Sequence, residues 1–270
     1  MTPNRITKYD TRILVVSFGT SNHDTREKTI GAVERAIAAA FPDIPVRRAF
    51  TSSFIIRKLK QTEGLEIDNV ADAILRAHNE GVRNLVIQPT HIMKGHEYEK
   101  VQEAVKKAEH LFDRLSFGMP LLSDDTDLDA LVSALSEETK ESVEPDMAHV
   151  FMGHGSDAEA NEVYARLQER LAERGFGNTY IATVEGEPTI TDVKQMLDKE
   201  ICRTVVLQPL MVVAGDHAVN DMAGDGDSWK TMLEDAGFTV SCVLKGIGEL
   251  PAVQKIYVDH VRKAFGVLWE

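Results

Sequence analysis

The sequence has few of the features that mark secreted, membrane-bound or disulfide-stabilised proteins. Its only cysteines, Cys202 and Cys242, form no disulfide framework and match no zinc-binding spacing. No apolar run approaches the roughly 20 residues of a membrane-spanning helix, and the first run, at 12–18, is too short for the core of a signal peptide. We therefore expect no membrane partner and a cytoplasmic location. A periplasmic location is the alternative if a leader has been removed.

Several cofactor and catalytic motifs are also absent. There is no GxxxxGKS or GxxxxGKT loop to hold nucleotide phosphates, so we expect chemistry without ATP. No GxGxxG motif follows the first predicted strand, which argues against a dinucleotide enzyme, and no GxSxG motif marks a serine nucleophile. The net charge of −13 argues against a nucleic-acid partner, because phosphate binding needs a basic face.

Short apolar runs alternate with amphipathic stretches along the first half of the chain. Helical spacing predicts helices at 25–41 and 70–81, the second with Gly81 just past its end. Buried strands are predicted at 12–18, 45–51 and 83–92. Strands separated by helices of this length indicate βαβ units and a parallel sheet.

The second half repeats this order. The strand and glycine turn at 148–156 correspond to 14–21, the segment 178–188 corresponds to the second strand, and 204–217 parallels 84–97. Three motifs in the same order predict a duplication, with α/β domains at 1–122 and 123–252. The acidic start of the second domain is expected to cap a linking helix, and the final helix within 253–270 to complete the first domain. Ligands bind at the carboxyl ends of parallel strands, so two facing domains predict a cleft lined by those turns.

Three candidate metal or proton-transfer residues follow predicted strands of the second half. They are His154 in "MGHGS", Glu185 in "TVEGEP" and His217 in "AGDHAVND". Two imidazoles and a carboxylate suit cobalt, nickel, iron or zinc, and they leave coordination positions for a substrate. Asp216 is a candidate to support a ligand. The competing interpretation is that each histidine is a solvated turn residue.

The segment around His217 is rich in acidic residues. We predict a last strand at 210–213 and a turn at Ala214 and Gly215, with Trp229 packing the segment down. The aspartates lack the spacing of an EF-hand calcium loop, so we expect them to cap helices and coat a loop. They are Asp216, Asp221, Asp225 and Asp227.

Two further polar groups lie in the first half. The first group follows the third predicted strand and comprises His91, His96, Glu97 and Glu99. It is interpreted as a second cation site, as an entry path or as plain polar surface. The second group is basic and comprises Arg47, Arg48, Arg57, Lys58 and Lys60. These side chains are expected either to pair with carboxylates or to form a solvated helix face.

Five segments, in the same order from about Arg12 to the C-terminus, resemble the anaerobic-type sirohydrochlorin cobaltochelatases. They are "ILVVSFGTSNHDTREKTI", "RAFTSSFIIRKL", "HIMKGHEYEKV", "VFMGHGS" and "PLMVVAGDHAVNDMAGDGDSWK". These enzymes are class II chelatases with a ferrochelatase-like fold. The chain departs from their pattern at Ser53, where the family has glycine, and at His96, where it has an acidic residue.

The resemblance implies two Rossmann-like domains, each a four-stranded parallel sheet flanked by helices, around a cleft for the tetrapyrrole. It implies insertion of cobalt(II), as the substrate metal, into sirohydrochlorin without ATP, on the route to the corrin ring of cobalamin. Family members form oligomers, so it also implies a homo-oligomer. His154, Glu185 and His217 carry over as residues that bind the metal and accept pyrrole protons. A haem or intersubunit ligand is an alternative role for His96.

This chemistry agrees with the residue types. Metal insertion releases the pyrrole protons, so the site needs a base as well as ligands, and neutral imidazole serves as either near pH 7. We hypothesise that the two histidines present the metal while Glu185 completes the site and removes protons, with the ring held puckered. Sirohydrochlorin carries many carboxylates. The residues predicted to bind it are Ser17, Thr51, Ser52, Arg57 and Lys58, with Lys60 as a further partner for its carboxylates.

Three other functions stay open on the sequence alone. The same ligands suit an iron or nickel chelatase for sirohaem-type tetrapyrroles. His91 and His96 leave room for a non-catalytic carrier of metal or haem, which a spectral titration with haem would reveal. A two-domain substrate-binding protein is the third alternative, although the convergence of histidines and glutamate argues against it.

Overall fold

The computed structural model describes residues 10–140, 146–156, 158–197 and 201–269. The chain divides into two compact units, with breaks between Ser123 and Asp124 and between Val253 and Gln254; the last segment belongs to the first unit. No helix in the described ranges is long and apolar enough to cross a membrane.

Unit 1 is built on a four-stranded parallel sheet of order β2-β1-β3-β4. Its strands are β1 Thr11–Ser17, β2 Val46–Phe50, β3 Asn84–Pro89 and β4 Arg114–Phe117. Its helices are α1 His23–Lys28, α2 Ile30–Ala40, α3 Ser53–Glu63, α4 Val70–Asn79, α5 His96–Ala108 and, mostly, α10 Pro251–Trp269. The central strand β1 is buried on both faces, as is typical of a parallel sheet.

Unit 2 has a second parallel sheet of order β6-β5-β7-β8. Its strands are β5 Met147–Gly155, β6 Thr179–Glu185, β7 Thr204–Pro209 and β8 Thr239–Cys242. Its helices are α6 Asp125–Thr139, α7 Ala158–Glu173, α8 Ile190–Met196 and α9 Trp229–Asp235, with a π-helical turn at His217–Met222. Each sheet thus has the same strand order, and the predicted α/β class with two four-stranded parallel sheets is confirmed.

The two apolar cores explain why these segments form strands. On one face of the first sheet, Leu14, Val16 and Ile87 pack against α4 and α5. On the corresponding face of the second, Val150 and Met152 pack with Trp229 and other residues of the segment that follows β7. Strands β1, β3, β5 and β7 therefore bury nearly all of their side chains, and this apolar burial is the main source of stability in such sheets.

The helix predicted at 25–41 is in fact two helices. Asn22 caps α1 by accepting a hydrogen bond from the Thr25 backbone N–H. Thr29, with φ −111° and ψ −83°, separates α1 from α2, and its hydroxyl donates to the Thr25 carbonyl at 2.6 Å. A side chain that bonds to the preceding turn competes with the helical pattern, so the helix breaks there. Gly81 lies just past the end of α4 at φ +82°, as predicted.

The strand predicted at 210–213 is wrong. Strand β7 ends at Pro209, and the last strand of the second sheet is β8. The backbone of 210–213 turns out of the sheet because segment 246–248 binds it: Ile247 N–H donates to Met211 O at 2.9 Å, and Gly248 N–H to Val212 O at 3.1 Å. The predicted acidic helix cap is confirmed, since the Asp124 carboxylate caps α6 by accepting from the Asp127 N–H at 3.0 Å.

Helix α10 is fastened to unit 1 by two buried hydrogen bonds. The Tyr257 hydroxyl donates to the Thr90 carbonyl at 2.8 Å, and the Ser116 hydroxyl donates to the Ala264 carbonyl at 2.8 Å. Both link α10 to segments far away in the sequence.

Replacing Tyr257 by Phe should lower the free energy of unfolding by about 1–3 kcal/mol, because the Thr90 carbonyl is left buried without its partner. Urea denaturation measures the change. The matched control is Tyr98→Phe on α5, which removes a hydroxyl that has no hydrogen-bond partner among the described residues. Equal stability of Tyr257→Phe and the wild type would contradict this account of how α10 is held.

Candidate functional site

The three residues predicted to bind metal lie at the carboxyl edge of the second sheet. His154 is the next-to-last residue of β5, and Glu185 is the last residue of β6. The strands are in register there, with Gly155 opposite Glu185. His217 begins the π-helical turn that follows the loop after β7. The parallel pairing therefore brings segments about thirty residues apart in sequence to one edge.

The two histidines are neighbours. Their ring centroids are 4.9 Å apart and the rings are nearly perpendicular, at 87°. His154 Nδ1 lies 3.1 Å from the Gly155 carbonyl oxygen, and His217 Nδ1 lies 2.5 Å from the Asp221 carboxylate. Since an oxygen acceptor needs a donor, each Nδ1 carries a proton, and the lone pair of the neutral imidazole is then on Nε2. Histidine ligands of metals typically have this arrangement.

Glu185 lies at the adjacent strand end with an exposed side chain. In the ranges that the structure describes, no three His, Cys, Asp or Glu side chains are grouped to hold a metal ion. The structure thus brings two of the three predicted ligands together and places the third on the neighbouring strand.

Tyr164 of α7 packs against the end of β5 that carries His154 and supports it. The phenol is fully buried and hydrogen-bonds with the backbone of His154 and Gly155. Burial raises the pKa of Tyr164 to about 12, although those backbone hydrogen bonds act in the opposite direction. Close packing requires glycine at 153, because a Cβ there would lie 2.8 Å from the tyrosine ring.

Asn161 of α7 ties the loops after β5 and β6 together. Its Oδ1 accepts from the Ser156 N–H at 2.8 Å, and its Nδ2 donates to the carbonyls of Glu185 at 3.3 Å and Glu187 at 3.0 Å. Gly155 allows the close approach of the strands. It has φ +84°, and a Cβ on it would lie 1.7 Å from the Glu185 carbonyl oxygen. The positions of His154 and Glu185 are therefore coupled through one buried amide.

Sequence reasoning missed the supporting residues Asp221, Tyr164 and Asn161. The sequence pattern favours Asp216 beside the predicted metal ligand His217, but the carboxylate that contacts His217 belongs to Asp221. The signal was available, since residues four apart on a helical turn are neighbours. Tyr164 and Asn161 had no such signal, because they reach the site from α7 only through the tertiary fold.

The other acidic residues of this segment form no metal cluster within the described part of the chain. Asp225 is fully exposed and lies 3.7 Å from Lys230. The cap of α9 is Ser228, whose hydroxyl accepts from the Thr231 N–H at 3.2 Å, and not one of the aspartates. Trp229 is buried in the core beneath the segment, as predicted.

The residues predicted to bind substrate lie at the carboxyl ends of β1 and β2 in unit 1. Ser17 is buried, and its hydroxyl accepts from the Thr90 hydroxyl at 2.8 Å, which gives it a structural role. Thr51 follows β2 and is half-buried. Ser52 caps α3 by accepting from the Ile55 N–H. Arg57 and Lys58 are exposed on α3.

The remaining basic residues do not form one cluster. Arg48 makes two bonds of 2.7 and 2.5 Å to the Glu34 carboxylate, and it lies on β2. Lys60 lies 3.0 Å from Glu66. These ion pairs neutralise Arg48 and Lys60, which the sequence pattern groups with Arg57 and Lys58.

The polar residues after β3 have separate environments. Both ring nitrogens of His91 are buried without a hydrogen-bond partner in the described structure, and burial lowers its pKa to about 4, with Glu97 opposing. Glu97 pairs with Lys100 at 2.5 Å. His96 is exposed at the first residue of α5, 3.5 Å from the Glu99 carboxylate. His91 is therefore neutral near pH 7.

Comparison with known proteins shows the relatives of this chain. The family described as "Cobalt chelatase (CbiK)" matches residues 11–266. The chain is 42% identical over 259 residues to the sirohydrochlorin cobaltochelatase of Salmonella typhimurium, covering 96% of this chain and 97% of that protein. It is 32% identical to the sirohydrochlorin cobaltochelatase CbiKC of Nitratidesulfovibrio vulgaris, covering 95% and 91%.

Solved structures share the fold. SirB from Bacillus subtilis with Fe³⁺ matches with a TM-score of 0.69 and 16% identity, over 97% of this chain and 100% of that one. CbiX, described as the terminal enzyme for biosynthesis of siroheme in denitrifying bacteria, matches with a TM-score of 0.57 and 16% identity, over 94% and 99%. At these identities the likeness shows the fold alone.

The Asp221→Asn variant should weaken cobalt(II) binding by roughly tenfold to a hundredfold, the usual effect of losing a carboxylate that orients a histidine ligand. Titration of the protein with cobalt(II), followed by visible absorbance, measures the affinity. The matched control is Asp225→Asn, which changes an exposed aspartate of the same segment. If the two variants bind cobalt(II) equally well, Asp221 does not orient His217.

Proposed function

The chain belongs to the cobalt chelatase (CbiK) family, and from that premise we propose that it inserts cobalt(II) into sirohydrochlorin through His154, His217 and Glu185. The observation that carries the assignment of residues is the orientation of the histidine pair. Each ring has its Nδ1 on an oxygen acceptor, which leaves the Nε2 lone pairs for a metal.

The two histidines bind the substrate metal before it is inserted into the ring. Two neutral imidazoles suit cobalt(II), and they hold it while leaving positions open for the nitrogens of the macrocycle. Iron and nickel suit the same ligands, so the assignment of cobalt comes from the family and not from the ligand set.

Glu185 accepts the protons that the pyrrole nitrogens release. As cobalt(II) binds to the ring nitrogens, the pyrrole N–H bonds break and their protons leave for a base and then for water. Glu185 is a carboxylate at the adjacent strand end, with its backbone held by Asn161 and its side chain exposed. An exposed side chain is free to rotate toward the ring or toward the metal, so Glu185 serves as proton acceptor and completes the ligand set.

Other features of the function stay predictions. The reaction proceeds without ATP, in keeping with the absence of a phosphate-binding loop from the sequence. The cytoplasmic location and the homo-oligomer are expectations from sequence and family. A role for His96 as a haem ligand is a further expectation, and its exposed imidazole at the start of α5 is compatible with it.

Replacing both His154 and His217 by Ala should abolish enzyme-dependent insertion, because the metal loses both imidazole ligands. The assay follows the absorbance change of sirohydrochlorin on addition of cobalt(II) without ATP. The control is His110→Ala, an exposed histidine of unit 1. Residual catalysis by the double variant at the wild-type rate would remove the pair from the mechanism.

Replacing Glu185 by Gln should reduce kcat roughly a hundredfold, the scale of general base catalysis, since an amide cannot accept the proton. Its effect on cobalt(II) affinity should be smaller than that of losing the histidines. The matched control is Glu187→Gln, an exposed glutamate two residues on. An unchanged kcat for Glu185→Gln would assign proton transfer to another group.

A further inference from the structure

Two phenylalanines are exposed at the carboxyl edge of the first sheet. Phe18 follows β1 and is 53% exposed, and Phe54 lies in the first turn of α3, which follows β2, and is 59% exposed. In the described structure they are the only aromatic residues among the large hydrophobic side chains that are at least half exposed. By contrast, the nearby Phe50 is fully buried.

Single exposed hydrophobic side chains are common on protein surfaces, whereas a contiguous exposed apolar patch marks a binding surface. The two residues belong to adjoining segments. Strands β1 and β2 are paired up to Ser17 and Phe50, and the Ser52 N–H then donates to the Phe18 carbonyl at 3.2 Å. Phe18 and Phe54 thus follow two neighbouring strand ends at the edge where parallel sheets bind ligands.

The backbone beneath Phe18 is held firmly. The Thr51 N–H donates to the Ser17 carbonyl at 2.9 Å. Gly19, with φ +103°, lets the chain turn directly over the Phe50 ring, because a Cβ there would lie 2.7 Å from it. A backbone that is already fixed loses little further conformational freedom when a ligand binds beside it.

Positive charge lies beside the aromatic surface. Arg57 and Lys58 are three and four residues after Phe54, so they share its face of α3, and the Lys58 Nζ lies 6.0 Å from the centre of the Phe54 ring. Among the described residues neither has an ion-pair partner, in contrast to Lys60 with Glu66. The surface thus joins flat apolar area to uncompensated cationic side chains.

We propose that Phe18 and Phe54 form an aromatic platform that contacts the face of the sirohydrochlorin macrocycle, while Arg57 and Lys58 bind its peripheral carboxylates. This rests on the proposed function, because the substrate is taken from it. A tetrapyrrole has the two properties that the platform complements, a broad apolar face and an anionic rim. The phenylalanines are positioning residues, and they contribute to holding the ring and not to proton transfer.

The test measures binding of metal-free sirohydrochlorin to the full chain by absorbance titration, together with KM and kcat for cobalt insertion. Phe18→Ala and Phe54→Ala should each weaken binding and raise KM about tenfold, as expected for one lost stacking contact. The kcat at saturating substrate should stay within about twofold. Phe18→Tyr and Phe54→Tyr keep a ring and should restore binding.

The matched control is Leu75→Ala, which removes another half-exposed hydrophobic side chain of the same unit. Circular dichroism verifies that each variant is folded. Wild-type affinity in both alanine variants, with normal cobalt insertion by the wild type, would overturn the platform and leave the proposed function standing. Ring-dependent binding by a wild type that inserts no cobalt would overturn the function and keep the platform. Failure of the wild type to bind sirohydrochlorin would overturn both.

Discussion

Parallel strand pairing is the constraint from which the rest of this structure follows. Parallel neighbours all end at the same edge, so residues that lie far apart in sequence meet there without a dedicated loop. In unit 2 the register that places Gly155 opposite Glu185 brings the metal-ligand candidates to one edge. In unit 1 the register of Ser17 with Phe50 does the same for the segments that carry Phe18 and Phe54. Each site is thus built on rigid elements.

Strand pairing alone places the residues at the sheet edge only approximately, and side chains of α7 fix their positions more closely. A buried amide such as Asn161 is favourable only when its hydrogen bonds are all made, and a group left without a partner costs about 1–3 kcal/mol. Asn161 therefore holds the loops after β5 and β6 at a fixed distance from each other, while Tyr164 packs against the end of β5 and fixes its position. His154, which we propose as a metal ligand, is thus held by residues to which we assign no part in the chemistry.

The sequence was a good guide to the elements with long apolar runs. It predicted the alternation of strands and helices, because β1, β3, β5 and β7 are buried on both faces and read as continuous apolar segments. The residue pattern did not indicate β4 and β8, which are four-residue edge strands with partly exposed side chains. The break at Thr29 and the bend after Pro209 were missed because each depends on hydrogen bonds visible only in the folded chain. The ligand candidates themselves were recognisable, since they follow strands directly.

The π-helical turn at His217–Met222 has a consequence for how this segment tolerates change. The contact between His217 and Asp221 depends on the number of residues that separate them, since side chains share a helical face when they are three or four positions apart. Inserting two residues between them would put the carboxylate six positions after the histidine, on another side of the turn. The length of this stretch is therefore constrained as well as its composition, and such an insertion should be tolerated less here than most substitutions.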